Sequence, residues 1–340
     1  MYANKKIDRL FLYWLIVSLI MVFFIIIIGG LTRLTNSGLS ITEWELFTGI
    51  FPPLSEKSWE NYFNLYKEIP QYELLNFDMS LNEFKIIFYW EYFHRILARI
   101  IGLFFLIPMI YFYFSKKVDS RYIKICFFVF FLIVLQGIVG WYMVKSGLVN
   151  VITVSHYRLA IHLFTAILII STIFWLLKNY YSKKYKIFFR FSKSMLPFQI
   201  IIFLIFSQII MGAFVSGLDA GKIYQTWPLM GNTFFPDDLT VSNLENIFEF
   251  NNHSLIQFYH RSLAYLILLY VIFLAIYIYK KKFHTLYNSL NILLILLFVQ
   301  ILLGIFTLIS GLNIFLASAH QITSVLLIFS ALNLYYLRTK

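Results

Sequence analysis

Four histidines in this 340-residue chain stand in apolar surroundings that an ionisable side chain rarely enters. His94, His162, His260 and His320 each lie near the start of an even-numbered apolar segment, so we expect four imidazoles at one depth. One such histidine alone is explained by a hydrogen bond to a neighbouring helix. Four at equal depth, in two pairs, favour two sites at which facing imidazoles bind a haem iron from both sides. Zinc is less favoured, because no cysteine or carboxylate cluster completes a tetrahedral ligand set.

Glu91 could take part in the chemistry of the first site. It lies three residues before His94, on nearly the same face of a helix. A carboxylate near a haem can act as a general base or proton relay; the alternative is that Glu91 only caps its helix. The corresponding residue of the second half is the neutral Gln257. The sequence therefore predicts a reactive first half and a second half that only holds its cofactor.

Three arginines lie close to these histidines. Arg95 and Arg261 directly follow His94 and His260, and Arg99 lies one turn beyond Arg95. A guanidinium at the membrane boundary can bind a carboxylate such as a haem propionate, or only extend to the interface. All three are candidate propionate contacts.

The composition indicates the kind of element that must hold these residues. Sixty per cent of the residues are hydrophobic, 13% are charged, and the mean hydropathy is +0.77. A soluble chain carries about 25% charged residues, so a water-soluble enzyme is excluded, as is a disordered chain. With Cys126 as the single cysteine, a secreted disulfide-built domain is excluded too.

The sequence instead predicts an all-α, polytopic membrane protein. Eight apolar segments are long enough to cross a bilayer as helices. They run over residues 10–28, 86–114, 125–144, 159–177, 197–216, 257–279, 289–309 and 317–336.

The charges indicate the orientation. Most of the 28 basic residues lie at the two termini, in loops 115–124 and 178–193, and at Lys280–Lys282, whereas the acids concentrate in loops 29–85 and 217–256. The positive-inside rule therefore predicts cytoplasmic termini in a bacterial cytoplasmic membrane. The net charge of +12 then reflects the orientation of the chain in the membrane, and we do not expect the protein to bind nucleic acid.

The remaining three histidines do not belong to these pairs. His156, His253 and His284 fall at the segment ends or between segments and have no repeat partner. We expect all three to be solvated loop residues.

The two halves of the chain resemble each other. Glu91-Tyr-Phe-His94-Arg95 recurs as Gln257-Phe-Tyr-His260-Arg261, and further matches follow at spacings that are constant within helices. They pair Gly29, Asn36, Gly38 and Trp44 with Gly212, Asp219, Gly221 and Trp227, and Gln136, Gly140, Ser146 and Gly147 with Gln300, Gly304, Ser310 and Gly311. We expect two parallel four-helix-bundle repeats.

These repeats define the predicted domains. Residues 1–177 form the first repeat, with a long outer loop over 29–85 that is a candidate lid. Residues 178–196 form a basic cytoplasmic linker, and residues 197–340 the second repeat.

Taken together, these motifs resemble those of haem A synthases. The resemblance is carried by Gly29-Gly-Leu-Thr-Arg33, the two His-Arg boxes, Tyr157-Arg-Leu-Ala-Ile-His162, Gly217-Leu-Asp-Ala-Gly-Lys222 and Ala319-His320-Gln321, and extends from the first helix to the last. Some members carry cysteine pairs in their outer loops. This chain has none there and resembles the cysteine-free branch.

The resemblance implies oxidation of the C8 methyl group of haem O to a formyl group, with oxygen from water and electrons leaving through a second haem. It implies substrate haem O between His94 and His162, haem b between His260 and His320, and Glu91 in the chemistry. The implied partners are haem O synthase, cytochrome oxidase assembly factors, membrane lipid and further copies of the chain.

Two other classes of protein are alternatives. A di-haem transmembrane cytochrome that oxidises quinol would explain all four histidines, but not the difference between Glu91 and Gln257. A secondary transporter would also use repeats, but it predicts ionisable groups and helix breaks near the bilayer centre, where only Pro108 is expected.

Overall fold

The computed structural model describes residues 8–43, 48–148, 153–188, 192–239 and 249–339. These residues form helices joined by loops, which confirms the predicted all-α class. The helices are α1 (Arg9–Leu34), α2 (Glu56–Lys67), α3 (Pro70–Leu75), α4 (Leu81–Ser115), α5 (Ser120–Gly147), α6 (His156–Ser182), α7 (Leu196–Gly217), α8 (His253–Lys280), α9 (Tyr287–Ile309) and α10 (Ile314–Arg338).

Eight of these helices in the described part of the chain are long and apolar enough to cross a membrane: α1 and α4 to α10, with α9 preceded by a short turn from His284. The eight predicted spans are thereby confirmed, although the helices extend beyond the apolar segments. The longest, α4, has 35 residues, whereas about 20 suffice to span the hydrocarbon layer. Its first turn is fixed by a capping box between Ser80 and Glu83, and Pro108 lies within it.

The structure divides into two compact units. The N-terminal unit comprises Tyr13–Ile169, and the C-terminal unit comprises Met1–Leu12 with Ile170–Lys340. His94 and His162 therefore belong to the N-terminal unit, and His260 and His320 to the C-terminal unit.

Hydrogen bonds tie the histidine-bearing helices to their neighbours within each unit. In the N-terminal unit, the Trp14 side chain on α1 donates to the Phe104 carbonyl on α4 over 3.1 Å. In the C-terminal unit, the Tyr270 hydroxyl on α8 donates to the Pro197 carbonyl on α7 over 2.9 Å. Such bonds are favoured in an apolar surrounding, where a polar group has no water to bind.

The outer loop of the N-terminal unit is folded rather than extended. The sequence predicted a loop over residues 29–85, but α1 continues to Leu34, α4 begins at Leu81, and α2 and α3 lie between them. Aromatic and aliphatic side chains of this region form one buried cluster that reaches the outer end of α4. The cluster comprises Leu39, Ile41, Trp59, Phe63, Tyr66, Ile69, Phe84 and Phe88. Apolar periodicity in α2, which buries Trp59, Phe63 and Tyr66, positions the loop on α4.

Backbone conformation recurs at related positions of the two halves. Asn36 after α1 and its repeat partner Asp219 after α7 both adopt left-handed conformations with φ of 53°. Asparagine and aspartate are the non-glycine residues that tolerate this region best. This recurrence supports the two-repeat hypothesis, which stays a prediction.

Candidate functional site

The two histidines of the N-terminal unit face each other. His94 on α4 and His162 on α6 have ring centres 6.4 Å apart, with the ring planes inclined by 63°. The Nδ1 atoms of both rings are buried and have no hydrogen-bond partner among the described residues. Two imidazoles thus meet inside the helix bundle, each with a nitrogen atom that the described part of the chain leaves unsatisfied.

A glycine lies directly against each of these rings. A Cβ atom built on Gly29 of α1 would lie 3.0 Å from Cε1 of His94, and one built on Gly140 of α5 would lie 3.1 Å from Cε1 of His162. Both distances are shorter than an ordinary van der Waals contact, so a larger residue at either position would displace the imidazole. The two glycines therefore set the positions of the rings.

The C-terminal unit repeats this arrangement. A Cβ atom on Gly212 of α7 would lie 3.3 Å from Cε1 of His260, and one on Gly304 of α9 would lie 2.9 Å from Cε1 of His320. Each of the four histidines is thus held against a glycine of the preceding membrane helix.

Two glutamines bind the histidines of the C-terminal unit. Gln208 donates its amide N–H to the carbonyl of His260 over 3.0 Å. The Nδ1 atom of His320 lies 3.1 Å from the backbone carbonyl oxygen of Gln300. Because a carbonyl can only accept, Nδ1 of His320 carries the proton, and the lone pair of its Nε2 faces the side-chain amide of Gln300 at 3.4 Å.

Glu91 is buried on α4 in the N-terminal unit, with 3% of its side chain exposed. Its Oε1 atom accepts from Arg95 over 2.6 Å, and its Oε2 atom accepts from the Ser40 hydroxyl and the Ile41 backbone N–H, each over 2.8 Å. Arg95 also donates to the Ile41 carbonyl over 2.9 Å. The carboxylate therefore joins α4 to the start of the outer loop.

The corresponding residues of the C-terminal unit bind their loop with an amide in place of the carboxylate. Gln257 donates to the Tyr224 carbonyl over 2.8 Å, and Arg261 donates to the same oxygen over 2.9 Å. Tyr224 and Ile41 occupy equivalent places, three residues before the repeat-related Trp227 and Trp44. An arginine thus binds a loop carbonyl in both units. The N-terminal unit has a carboxylate beside it, and the C-terminal unit has an amide.

The loop around Tyr224 is itself anchored to α8. The Tyr224 hydroxyl donates to Asp238, whose other carboxylate oxygen accepts from Ser254 over 2.8 Å. Burial and the hydrogen bond to Asp238 raise the pKa of Tyr224, so its phenol keeps the proton that it donates.

Comparison with known proteins shows the family to which the chain belongs. The sequence profile of COX15-CtaA, described as cytochrome oxidase assembly protein, matches residues 12–332. The chain belongs to the COX15-CtaA family. It is similar to the heme A synthase of Pelagibacter ubique, with 47% identity over 93% of both chains. The heme A synthase of Rickettsia felis is 42% identical over 93% of this chain and 94% of its own, and that of Flavobacterium psychrophilum is 39% identical over 95% and 96%.

The spacing of His94 and His162 in this COX15-CtaA member fits a haem iron. Two metal–imidazole bonds of about 2 Å, with about 1 Å more from each bonding nitrogen to its ring centre, place two ligand rings roughly 6 Å apart. The ring centres of His94 and His162 are 6.4 Å apart. Within the described ranges no three His, Cys, Asp or Glu side chains form a metal-binding group.

Several residues of the site were missed from sequence. The repeat-matched glycines at 29, 140, 212 and 304 were recognised as recurring, but their positions against the histidine rings were not predicted. Gln208 was not identified, because it has no repeat partner and a lone glutamine in an apolar helix resembles any interhelical hydrogen-bond donor.

The remaining histidines differ in part from the prediction. His156 is the first residue of α6 and is buried, with 8% exposed, so its assignment as a solvated loop residue was wrong. His253 is the first residue of α8 rather than a loop residue, although it is exposed. His284 lies in an exposed turn before α9, as expected.

Arg99 is partly buried on α4 near Tyr92 and Arg95. Its contact with a propionate stays a prediction, as do those of Arg95 and Arg261. Trp44, the repeat match of Trp227, lies outside the described residues.

Proposed function

We propose that this protein is a haem A synthase that oxidises the C8 methyl group of haem O to a formyl group. The observation that carries the proposal is the facing pair of His94 and His162, with Glu91 one helical turn away on α4. Membership of the COX15-CtaA family and 37–47% identity to proteins named heme A synthase support it.

In this proposal, His94 and His162 hold the substrate haem O, and the glycines behind them keep both rings in place. The methyl group is first converted to an alcohol with an oxygen atom from water, and then to the aldehyde through its hydrate. Each conversion releases two electrons and two protons. Glu91 acts as the general base that takes up a proton, and Ser40, Ile41 and Arg95 hold its carboxylate in place.

His260 and His320 are the residues that would hold a resident haem b. That haem would supply one-electron redox chemistry, the relay by which electrons leave the substrate. The chain's own contribution is to orient the two ligands: Gln300 fixes the proton of His320 on Nδ1, and Gln208 binds the backbone of His260.

We further propose that the protein lies in a bacterial cytoplasmic membrane with cytoplasmic termini, and that both sites lie towards the periplasmic face. The two histidine-arginine boxes and the loops that bind them then lie on the side opposite the basic loops. Haem O synthase and cytochrome oxidase assembly factors are the proposed partners.

Co-expression with a source of haem O, followed by mass analysis of the extracted haems, tests the proposal. The expected product is haem A, with its alcohol as an intermediate that accumulates when turnover is slow. A di-haem cytochrome would contain two equivalent haems and form no formyl product, and a transporter would purify without pigment. Either result would overturn the proposal.

A further inference from the structure

A cavity of about 300 Å³ lies beside α8 in the C-terminal unit. Phe258, Arg261 and Tyr265 of α8 line it, and Phe234 and Phe235 of the preceding loop cover it. Aromatic rings thus form most of its wall. Since α8 advances by about 100° per residue, its lining residues lie about 100–200° around the helix from His260. The cavity therefore lies on a different face of α8 from the histidine.

Two polar atoms at this cavity have no hydrogen-bond partner among the described residues. They are Nε of Arg261 and the hydroxyl of Tyr265, and both are buried. Each terminal nitrogen of Arg261 already donates one N–H, to the carbonyls of Leu229 and Tyr224. The buried donors that lack an acceptor are therefore the Nε N–H of Arg261 and the Tyr265 hydroxyl, and a carbonyl oxygen can accept from both.

The surface of α8 on the C-terminal side of the cavity is apolar and exposed. Leu269, Ile272 and Phe273 follow on the same face of α8, with 65%, 45% and 54% of their surfaces exposed. A ligand whose ring occupies the cavity can therefore extend an apolar chain along α8 into the lipid.

We propose that this cavity binds a lipid-soluble quinone, with its ring among the aromatic side chains and a carbonyl oxygen bonded to Arg261 and Tyr265. This proposal rests on the proposed function, and it identifies the quinone as the electron acceptor of that reaction. The helix is about 10 Å across, so the quinone lies on the order of one helix diameter from His260.

The stoichiometry of this assignment balances. Conversion of a methyl group and one water to an aldehyde releases four protons and four electrons in two steps. Each step reduces one quinone, which takes up two electrons and two protons to become the quinol. Two quinones are therefore consumed for each formyl group formed.

Photolabelling of the purified full-length protein tests the site without turnover or haem O. The probe is an azido derivative of decylubiquinone, with unlabelled decylubiquinone as competitor. We expect labelling of peptides that contain residues 228–235 and 258–265, and its loss on competition. Labelling elsewhere, or labelling that the competitor does not reduce, would overturn the proposal. So would a phospholipid that native mass spectrometry finds bound and that the quinone does not displace.

Three variants sharpen the test. Tyr265→Phe removes one hydrogen bond, worth about 0.5–1.5 kcal/mol, and should raise the quinone Kd roughly threefold to tenfold. Ser262→Phe fills the cavity and should abolish labelling, with an unchanged haem spectrum showing that the fold is intact.

Tyr270→Phe is the matched control, because its hydroxyl lies on the same helix but binds Pro197; it should not alter the Kd. Equal effects of Tyr265→Phe and Tyr270→Phe would refute the assignment.

The inference and the proposed function fail in different ways. A protein that forms haem A but binds no quinone would refute the quinone site alone. A protein that binds quinone in the cavity but forms no haem A would refute the synthase proposal alone.

Discussion

The two units hold their histidines in the same way but surround them differently. In both, each imidazole lies against a glycine of the preceding membrane helix, and an arginine next to one histidine binds a loop carbonyl. The N-terminal unit adds the Glu91 carboxylate, where the C-terminal unit has Gln257. The C-terminal unit adds Gln208, four residues before Gly212, where the apolar Ile25 precedes Gly29. The common residues thus position ligands, and the differing residues decide what each site does.

The largest effect is expected from loss of a histidine, and it should differ between the units. His260→Ala and His320→Ala should remove the absorbance of the resident haem, because no other described side chain in that unit is placed to replace the ligand. His94→Ala and His162→Ala should leave that absorbance and abolish haem A formation. Optical spectra of the purified variants, with mass analysis of their haems, measure both. Loss of the resident haem in all four variants would mean that the sites are not separate.

Replacement of Glu91 tests the chemical difference between the units. Glu91→Gln gives the N-terminal unit the residue of the C-terminal unit and should lower turnover by about 100-fold or more, as expected for loss of a general base. The resident haem should remain. Haem A formation in cells co-expressing haem O synthase measures this, and normal amounts of haem A would refute the role of Glu91.

Ser40→Ala is the control for this variant. It removes one hydrogen bond to the carboxylate but keeps the carboxylate itself, so it loosens the loop without removing the base. If Glu91 only anchors the outer loop, Ser40→Ala and Glu91→Gln should both act mainly on KM. If Glu91 is the base, only Glu91→Gln should lower kcat strongly.

The glycines shared by the units give a smaller, steric effect. Gly140→Ala would place a methyl group 3.1 Å from His162, and overpacking of this kind costs about 1–3 kcal/mol, or roughly tenfold to hundredfold in haem affinity. Gly137→Ala on the same helix is the control, because nothing lies within 4 Å of the added atom. Haem titration of the two variants should separate them. Equal affinities would show that the glycine does not position the ring.

The helical fold and the meeting of His94 with His162 could be predicted from sequence because each depends on local pattern. Long apolar runs leave helices as the solution in a bilayer, and His94 and His260 are marked by their repeated neighbours. The folded outer loop could not be predicted, because its cluster joins Leu39 to Trp59 and Phe88 across distant parts of the chain. The contacts of Glu91 could not be predicted for the same reason, because two of its three partners lie about fifty residues earlier in the chain.

Gln208 should produce the smallest change, and it tests whether the amides of the C-terminal unit tune that site. Its side chain donates to the His260 carbonyl and lies 3.2 Å from Nδ1 of the ring. Gln208→Leu keeps a side chain of similar size. It gives the C-terminal unit an apolar residue at this place, as Ile25 is in the N-terminal unit. Because a ligand's surroundings adjust the properties of its metal, the variant should keep its haem but change the reduction potential of that haem, measured by redox titration. Ile25→Leu, an apolar exchange at the equivalent place, should leave this potential unchanged. An unchanged potential in Gln208→Leu would restrict the difference between the units to Glu91.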